Sequence, residues 1–237
     1  MSRSTQPPRI AIVGMGRMGH AVQRLAEERQ WPIAARIGRD SASDIESALD
    51  GADVAIDFTT AGAVLDNVRA CLRAGVPVVV GTTGWLDERE QLEGEVREAQ
   101  GAMFWAPNFS LGVNVFWRVA ERAAALIASV PGFEAAILES HHSAKKDAPS
   151  GTAIELERRV SSAIGHSVPV SSIRVGHVPG THELILDGQF EQLRVEHVAR
   201  DRRVFAEGAL LAASWLVQAV RDGRSGTFTM DGLLGVE

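Results

Sequence analysis

The sequence predicts an α/β chain of two parts, and three observations carry that prediction. From Arg9 to Trp105, short apolar runs alternate with amphipathic stretches. A glycine turn, Gly14 to Gly19, joins the first apolar run to the first amphipathic stretch. After Pro107 the rhythm changes to long helical patterns and three strand-like pieces joined by polar and glycine turns.

Taken in order, RIAIV, PIAARI, DVAIDF, VPVVVG and AMFWA read as short strands. Between them, Arg17 to Arg29 sets Met18, Ala21, Val22 and Leu25 on one helical face. Ala61 to Ala74 does the same with Val64, Leu65, Val68, Cys71 and Leu72, and Leu86 to Ala99 opens with Asp87 as its N-cap. Strands alternating with helices build β-α-β units, and a parallel sheet follows because parallel strands need a crossover.

Beyond Pro107 the pattern gives a helix from Val113 to Ala128, the strand FEAAILES and a helix from Thr152 to Ile164. The strands SSIRVG, HELILDG and QFEQLRVEHV come next, followed by a helix from Val204 to Arg221 with a core-like Ala/Leu/Val pattern. The tail SGTFTMDGLLGVE closes the chain without an assigned element. This half reads as α+β, with an antiparallel or mixed sheet. Pro107-Asn108 marks the first hinge, because proline biases its predecessor away from helix. A second crossing falls near Phe205. Residues 1–109 with 205–237 are therefore expected to form one domain and residues 110–204 the other.

The composition narrows the function. The chain has 237 residues and a formal net charge of -6, so it lacks the basic excess that neutralises phosphates in a nucleic-acid binder. Cys71 is the only cysteine, which precludes an intrachain disulfide and suits a reducing compartment. The opening MSRSTQPPR is polar with no apolar signal core behind it, and no uninterrupted apolar run reaches membrane-spanning length. A soluble cytoplasmic protein without nucleic-acid or membrane partners is expected.

In IAIVGMGRMGHAV, Gly14, Gly16 and Gly19 have the spacing of a dinucleotide loop. Gly14 permits the tight turn, Gly16 lets the backbone approach a pyrophosphate, and Gly19 lets helix and strand pack closely. The helix N-terminus presents N–H groups and a positive dipole end to phosphates. With its strand before and helix behind, the loop predicts a Rossmann-like domain, against the plain alternative of a structural glycine turn. Met15, Arg17 and Met18 belong to the same loop.

The end of the second strand, where an acid usually grips the ribose of NAD, reads AARIGRDS. Arg36 and Arg39 flank that position, and arginine there can pair with a 2′-phosphate, which favours NADPH. As solvated surface charges the two would leave NADH, so both cofactors stay open. GTTG, with Gly81, Thr82 and Thr83, follows one strand. Ala106, Pro107, Asn108 and Phe109 follow the next. Both loops fall at carboxyl ends of strands, where an open α/β sheet binds ligand, though ordinary turn chemistry would look the same.

ESHHSAKKDAPSGTA, from Glu139 to Ala153, is the densest stretch of chemistry in the chain. On a strand, adjacent His141 and His142 face opposite ways. Lys145 and Lys146 follow, a pair that is normally a solvated face. Thr152 and Glu155 match a capping box, and Gly151 with Thr152 offers an anion site at a helix start. No second spaced ligand set accompanies these histidines, so no metal is expected. A histidine, a lysine and a helix N-terminus together suit a carboxylate substrate and a site that needs a proton, as a reductase does.

This stretch resembles the signature of the dihydrodipicolinate reductase family, also called 4-hydroxy-tetrahydrodipicolinate reductases. The likeness runs in order through VGMGRMG, IDFT, VGTTG, APNFSLGVNV, the His-His stretch, VPGTHE and FAEGALLAASWL. It implies NADPH- or NADH-dependent reduction of a small cyclic dicarboxylate on the diaminopimelate–lysine pathway. His141 would be the proton donor or acceptor and Lys145 the second acid. His142 would contact substrate, and Gly151 and Thr152 would bind a carboxylate. Gly14 to Gly19, Gly81 to Thr83 and Ala106 to Phe109 would hold the cofactor. The resemblance also implies a homotetramer built through the sheet of the substrate-binding and oligomerisation domain. GMGRMG is one residue shorter than the family's G-x-x-G-R-M-G form, RIGRD has no clean counterpart of the family's ribose-binding acid, and Val170 to Thr181 lacks an extra loop of longer members. A different two-domain NAD(P) dehydrogenase, or a dinucleotide-sensing protein without catalysis, would explain the glycine loop but not the long signature.

Overall fold

A computed structural model describes residues 6–38 and 45–236. Arg39 and Asp40 lie outside the described residues. The chain divides into two compact units, residues 1–109 with 205–237 and residues 110–204.

The first unit begins with β1 (Ile10–Val13), α1 (Arg17–Glu28), β2 (Ile33–Ile37), α2 (Ile45–Ala48) and β3 (Val54–Asp57). It continues through α3 (Val64–Arg73), β4 (Val78–Val80), α4 (Arg89–Glu98) and β5 (Ala102–Trp105). The second unit holds α5 (Leu111–Ile127), β6 (Glu134–His141), α6 (Gly151–Ile164), β7 (Val170–Arg174), β8 (Thr181–Asp187) and β9 (Gln192–Val198). α7 (Arg203–Arg221) returns the chain to the first unit, and β10 (Gly226–Phe228) and α8 (Met230–Leu234) finish it.

The first sheet has six parallel strands in the order β10-β5-β4-β3-β1-β2. Its central strands β1, β3 and β4 are buried at every position. Such strands, covered by helices on both faces, read as continuous apolar runs rather than alternating ones. The strand order reverses between β1 and β3, and the carboxyl ends of strands at such a switch point leave a crevice for ligand. The chain is thus α/β, as the alternation predicts.

Two details differ from the sequence reading. The unassigned tail supplies a strand, β10, which pairs in parallel with β5 from Gly226 against Ala102 to Phe228 against Phe104. Three partly buried residues are too few to show a period. Asp87 is not an N-cap: it lies inside a 3₁₀ turn, Leu86–Glu88, which precedes α4. α7 is long and apolar enough, by length and composition, to cross a membrane. However, Ala206, Ala209, Leu210, Ala213 and Leu216 are buried, so its apolar stripe belongs to a core.

The second unit's sheet runs β7-β6-β8-β9 and is mixed, with β6 and β7 parallel and the other pairs antiparallel. Ile137, Leu184 and Leu186 on one face pack against Phe116 and Trp117 of α5 and Leu156 and Val160 of α6. Register then decides what else lies on that face. Glu139 is opposite Ser172 on one side and His182 on the other, and His182 is opposite His197. Each is an even number of positions from an apolar core residue of its strand, so all four share the covered face.

Candidate active site

In the first unit the glycine turn lies at the switch point. Gly14 has φ +94°, a left-handed conformation, and a Cβ there would collide with the Phe58 carbonyl. A Cβ on Gly19 would strike the Gly14 carbonyl, so this residue sets how closely α1 approaches its strand. Gly16 is the N-cap of α1, and among the described residues no atom lies within 4 Å of where its Cβ would stand. A cavity of about 590 Å³ opens here, lined by Gly14, Met15, Gly16, Gly38, Thr59 and Thr60 among others. Its size suits a large ligand. The bare backbone at Gly16, and an α1 first turn with neither acidic side chain nor side-chain cap, fit a pyrophosphate.

A second cavity of about 300 Å³ is lined by Met18, Gly81, Pro107, Asn108 and Phe109, and Phe58 borders both cavities. The loops here are held from beneath. Asp57 is fully buried and accepts hydrogen bonds from Thr59 N (3.0 Å), Thr59 Oγ1 (2.8 Å), Thr82 Oγ1 (2.6 Å) and Asn67 Nδ2 (2.6 Å). Thr82 is thus buried and ties two loops together, while Thr83 beside it is exposed. Ala106 is buried. A Cβ on Gly208 of α7 would collide with the Phe109 carbonyl, so α7 packs tightly beneath the Ala106–Phe109 loop.

Arg17 is exposed at the start of α1. Arg36 is exposed too, and its Nη2 pairs with Glu27 Oε1 at 2.9 Å. It does not line the cavity.

In the second unit the strand β6 ends on His141, which is 8% exposed. Its Nδ1 is hydrogen-bonded to Glu139 Oε2. Glu139 is fully buried, and its Oε1 accepts from Arg174 Nη2 at 2.6 Å. Arg174 also donates to the Asp147 carbonyl at 2.5 Å. Burial alone would raise the Glu139 carboxyl, but hydrogen bonds from Arg174, Ser172 and His141 outweigh it and hold it at about 2. Burial lowers His141, and the Glu139 charge offsets only part of that. The rings of His141 and His182 meet edge to face with centroids 5.1 Å apart. Burial, then the neighbouring His141, push His182 down to about 3.

His142 leaves the strand half-buried, and its carbonyl accepts from Lys145 N at 3.0 Å. Lys145 Nζ contacts both Asp147 oxygens at 2.8 Å, which lowers the Asp147 carboxyl. The positive charge of Lys145 also weighs against protonation of His141 and His182.

The start of α6 departs from the capping box read in the sequence. The N-cap is Ser150, whose Oγ accepts from Ala153 N at 3.3 Å, and Gly151 and Thr152 are the first two helical residues. Glu155 instead pairs with Arg158 and Arg159. Serine is as good a cap as threonine, so the S-G-T order left the choice to the fold. Ser150 Oγ also lies 3.0 Å from His182 Nε2, which joins the helix start to the histidine pair.

The donor atoms of Glu139, His141 and His182 lie within 4.8 Å of one another, a ligand-like set invisible to sequence spacing. Glu139 already contacts His141 and Arg174, and a cation would meet the fixed charges of Arg174 and Lys145. Glu139 thus already has an ion-pair partner in Arg174 and a ring partner in His141.

Family models described as dihydrodipicolinate reductase, N-terminus and C-terminus, match residues 8–109 and 112–234. The chain belongs to the dihydrodipicolinate reductase family. It is 33% identical over 241 residues to the 4-hydroxy-tetrahydrodipicolinate reductase of Christiangramia forsetii, covering 95% of this chain and 97% of that one. Its identity to the Zymomonas mobilis 4-hydroxy-tetrahydrodipicolinate reductase is 34% over 254 residues, covering 96% and 97%. Among solved structures, dipicolinate-bound dihydrodipicolinate reductase from Paenisporosarcina sp. TG-14 has the same fold, with TM-score 0.73 at 23% identity over 94% of this chain and 97% of that one. This dihydrodipicolinate reductase family chain is an NAD(P)H-dependent oxidoreductase of lysine and diaminopimelate biosynthesis.

The sequence reading did not single out Glu139, Arg174, His182 or Ser150 as site residues. Their one local signal is Glu139 two places before His141, the spacing that puts two strand residues on one face.

Proposed function

We propose that the chain reduces 4-hydroxy-tetrahydrodipicolinate to tetrahydrodipicolinate with His141 and Lys145 handling the proton. The observation that carries this reading is a buried, carboxylate-held histidine, His141, linked through His182 and Ser150 to the start of α6. The dipicolinate in the Paenisporosarcina neighbour supports a small cyclic dicarboxylate as the ligand class. Gly14 to Gly19, Gly81 to Thr83 and Ala106 to Phe109 hold the dinucleotide. When bound, a reduced nicotinamide supplies hydride to the ring's C4 as the 4-hydroxyl leaves as water.

His141 offers its Nε2 to the substrate and gives up the proton that balances the reaction. Lys145 attracts a substrate carboxylate and acts as the second acid. Gly151 and Thr152 bind a carboxylate at the positive end of α6, and His142 contacts the ring's substituents. Arg36 favours NADPH through the 2′-phosphate, and NADH is also accepted. The enzyme works in the cytoplasm, which the single buried Cys71 suits, as a homotetramer joined through the sheet of the second unit.

The test is turnover of freshly made product of the preceding synthase, followed by nicotinamide absorbance. H141Q and K145M should each lower kcat by about 10²-fold or more, within the ~10²–10⁴ that a positioned proton donor contributes, with cofactor affinity unchanged. Wild-type kcat in both variants would refute the assignment.

A further inference from the structure

His141 is the last residue of its strand, and a histidine at a strand end needs something to fix its ring and its tautomer. We propose that Glu139 is a positioning residue: it grips His141 by Nδ1, so that Nε2 is the atom exchanging a proton with substrate, and Arg174 keeps Glu139 ionised. The proposal deepens the reading of His141 given above and rests on it.

The geometry carries it. Glu139 and His141 are two residues apart on the covered face, so their side chains point the same way. An ionised carboxylate only accepts hydrogen bonds, so the His141 nitrogen bonded to it must carry hydrogen, in the neutral and the charged ring alike. Glu139 stays ionised despite full burial because Arg174 occupies its other oxygen at 2.6 Å. Arg174 reaches it because β7 runs parallel to β6 in a register that sets Arg174 beside His141.

Nε2 is then the exchangeable nitrogen, and the fold keeps room for it. A Cβ on Gly180 would stand 3.0 Å from Nε2, where a proton partner belongs. The groups facing His141 are Glu139 on its own strand, Arg174 on β7, His182 on β8 and Lys145 on the following loop. Of these only Glu139 favours the imidazolium; Arg174 and Lys145 oppose it. The carboxylate therefore sets the pH at which His141 carries its proton, as well as which nitrogen holds it.

The test uses the full chain. Nitrogen-15 NMR of the ligand-free protein should give His141 as the Nδ1–H tautomer when neutral. In E139Q that tautomer preference should be lost and the His141 titration should move to lower pH, because a favourable charge is gone. The alkaline limb of kcat should move down by the same amount, with kcat lower by about 10²-fold and the KM for cofactor unchanged. E139D, which keeps the charge, should restore part of kcat and most of the limb position, a rescue a purely structural role would not give. A wild-type Nε2–H tautomer would overturn the proposal whether or not E139Q folds. So would an unshifted limb in E139Q with H141Q inactive. Wild-type kcat in H141Q would sink the proton role of His141, and this proposal with it.

Discussion

His182 Nε2 and Ser150 Oγ lie 3.0 Å apart, and this contact ties the middle of the second sheet to the first turn of α6. Ser150 is at the same time the helix N-cap. Removing its hydroxyl deletes a cap, worth ~1 kcal/mol, and leaves a second buried nitrogen of His182 without a partner, since Nδ1 already has none among the described residues. S150A should therefore lose about 2–3 kcal/mol in denaturant unfolding. S150T, which keeps the hydroxyl, should lose much less. Because α6 starts the proposed carboxylate site, S150A should raise the KM for substrate more than that for cofactor.

The lowered histidines make stability pH-dependent with a definite sign. His182 titrates at about 3 in the folded chain against 6.5 unfolded. Its contribution is complete above 6.5 and is lost as pH falls from 6.5 towards about 3, because the unfolded state binds the proton first. Between 6.5 and 4.5 the loss is histidine-driven, at up to about 1.4 kcal/mol per pH unit for this one group. Below 4.5 Glu139 adds its own loss, down to about 2. Urea unfolding across this range should give a clearly flatter slope for H182Q than for wild type. Equal slopes would mean that His182 is not the group responsible.

Gly16 and Gly19 separate ligand approach from packing. G16A places a methyl where no described atom lies within 4 Å and weakens only the N-cap of α1, so it should lose at most about 1 kcal/mol while the KM for NADPH and NADH rises about tenfold or more. G19A drives a methyl into the Gly14 carbonyl, so it should lose both stability, by about 1–3 kcal/mol, and cofactor affinity.

Arg36 sits in an exposed pair with Glu27 at 2.9 Å, an interaction worth little by itself. If it grips a 2′-phosphate, R36A should raise the KM for NADPH about tenfold and leave NADH unchanged, and E27Q should improve NADPH binding. Parallel titration of the two cofactors against each variant checks this. A KM ratio unmoved by R36A would assign the preference elsewhere.

The face of the second sheet opposite α5 and α6 presents Ile173 and Val198 at 44% and 54% exposure. Apolar side chains grouped on one sheet face suit burial against another copy. Replacing Ile173 and Val198 by glutamate should shift the mass seen by light scattering from that of the proposed tetramer to smaller species. An unchanged mass would place the subunit contacts on another surface.

The alternation of apolar runs with amphipathic helices was enough to specify a parallel α/β unit, because that period is local and each element declares itself within about a dozen residues. The same holds for the glycine turn: Gly14 needs its left-handed conformation within the loop itself. The short outer elements were not legible. β10 has three half-buried residues, and it becomes a strand only because β5 offers it an edge. The choice of Ser150 over Thr152 as the cap was likewise unreadable, since both residue types cap well and His182 lies 32 residues away.

The sequence by itself thus determined the fold class, the family signature and the residues next to His141 along the chain. Only the tertiary structure decided which groups surround that ring. Arg174 reaches Glu139 across 35 residues, and His182 faces Glu139 through an antiparallel register that a one-residue slip would send to the other face. Strand register depends on packing against α5 and α6, a long-range condition that no local window of the chain contains.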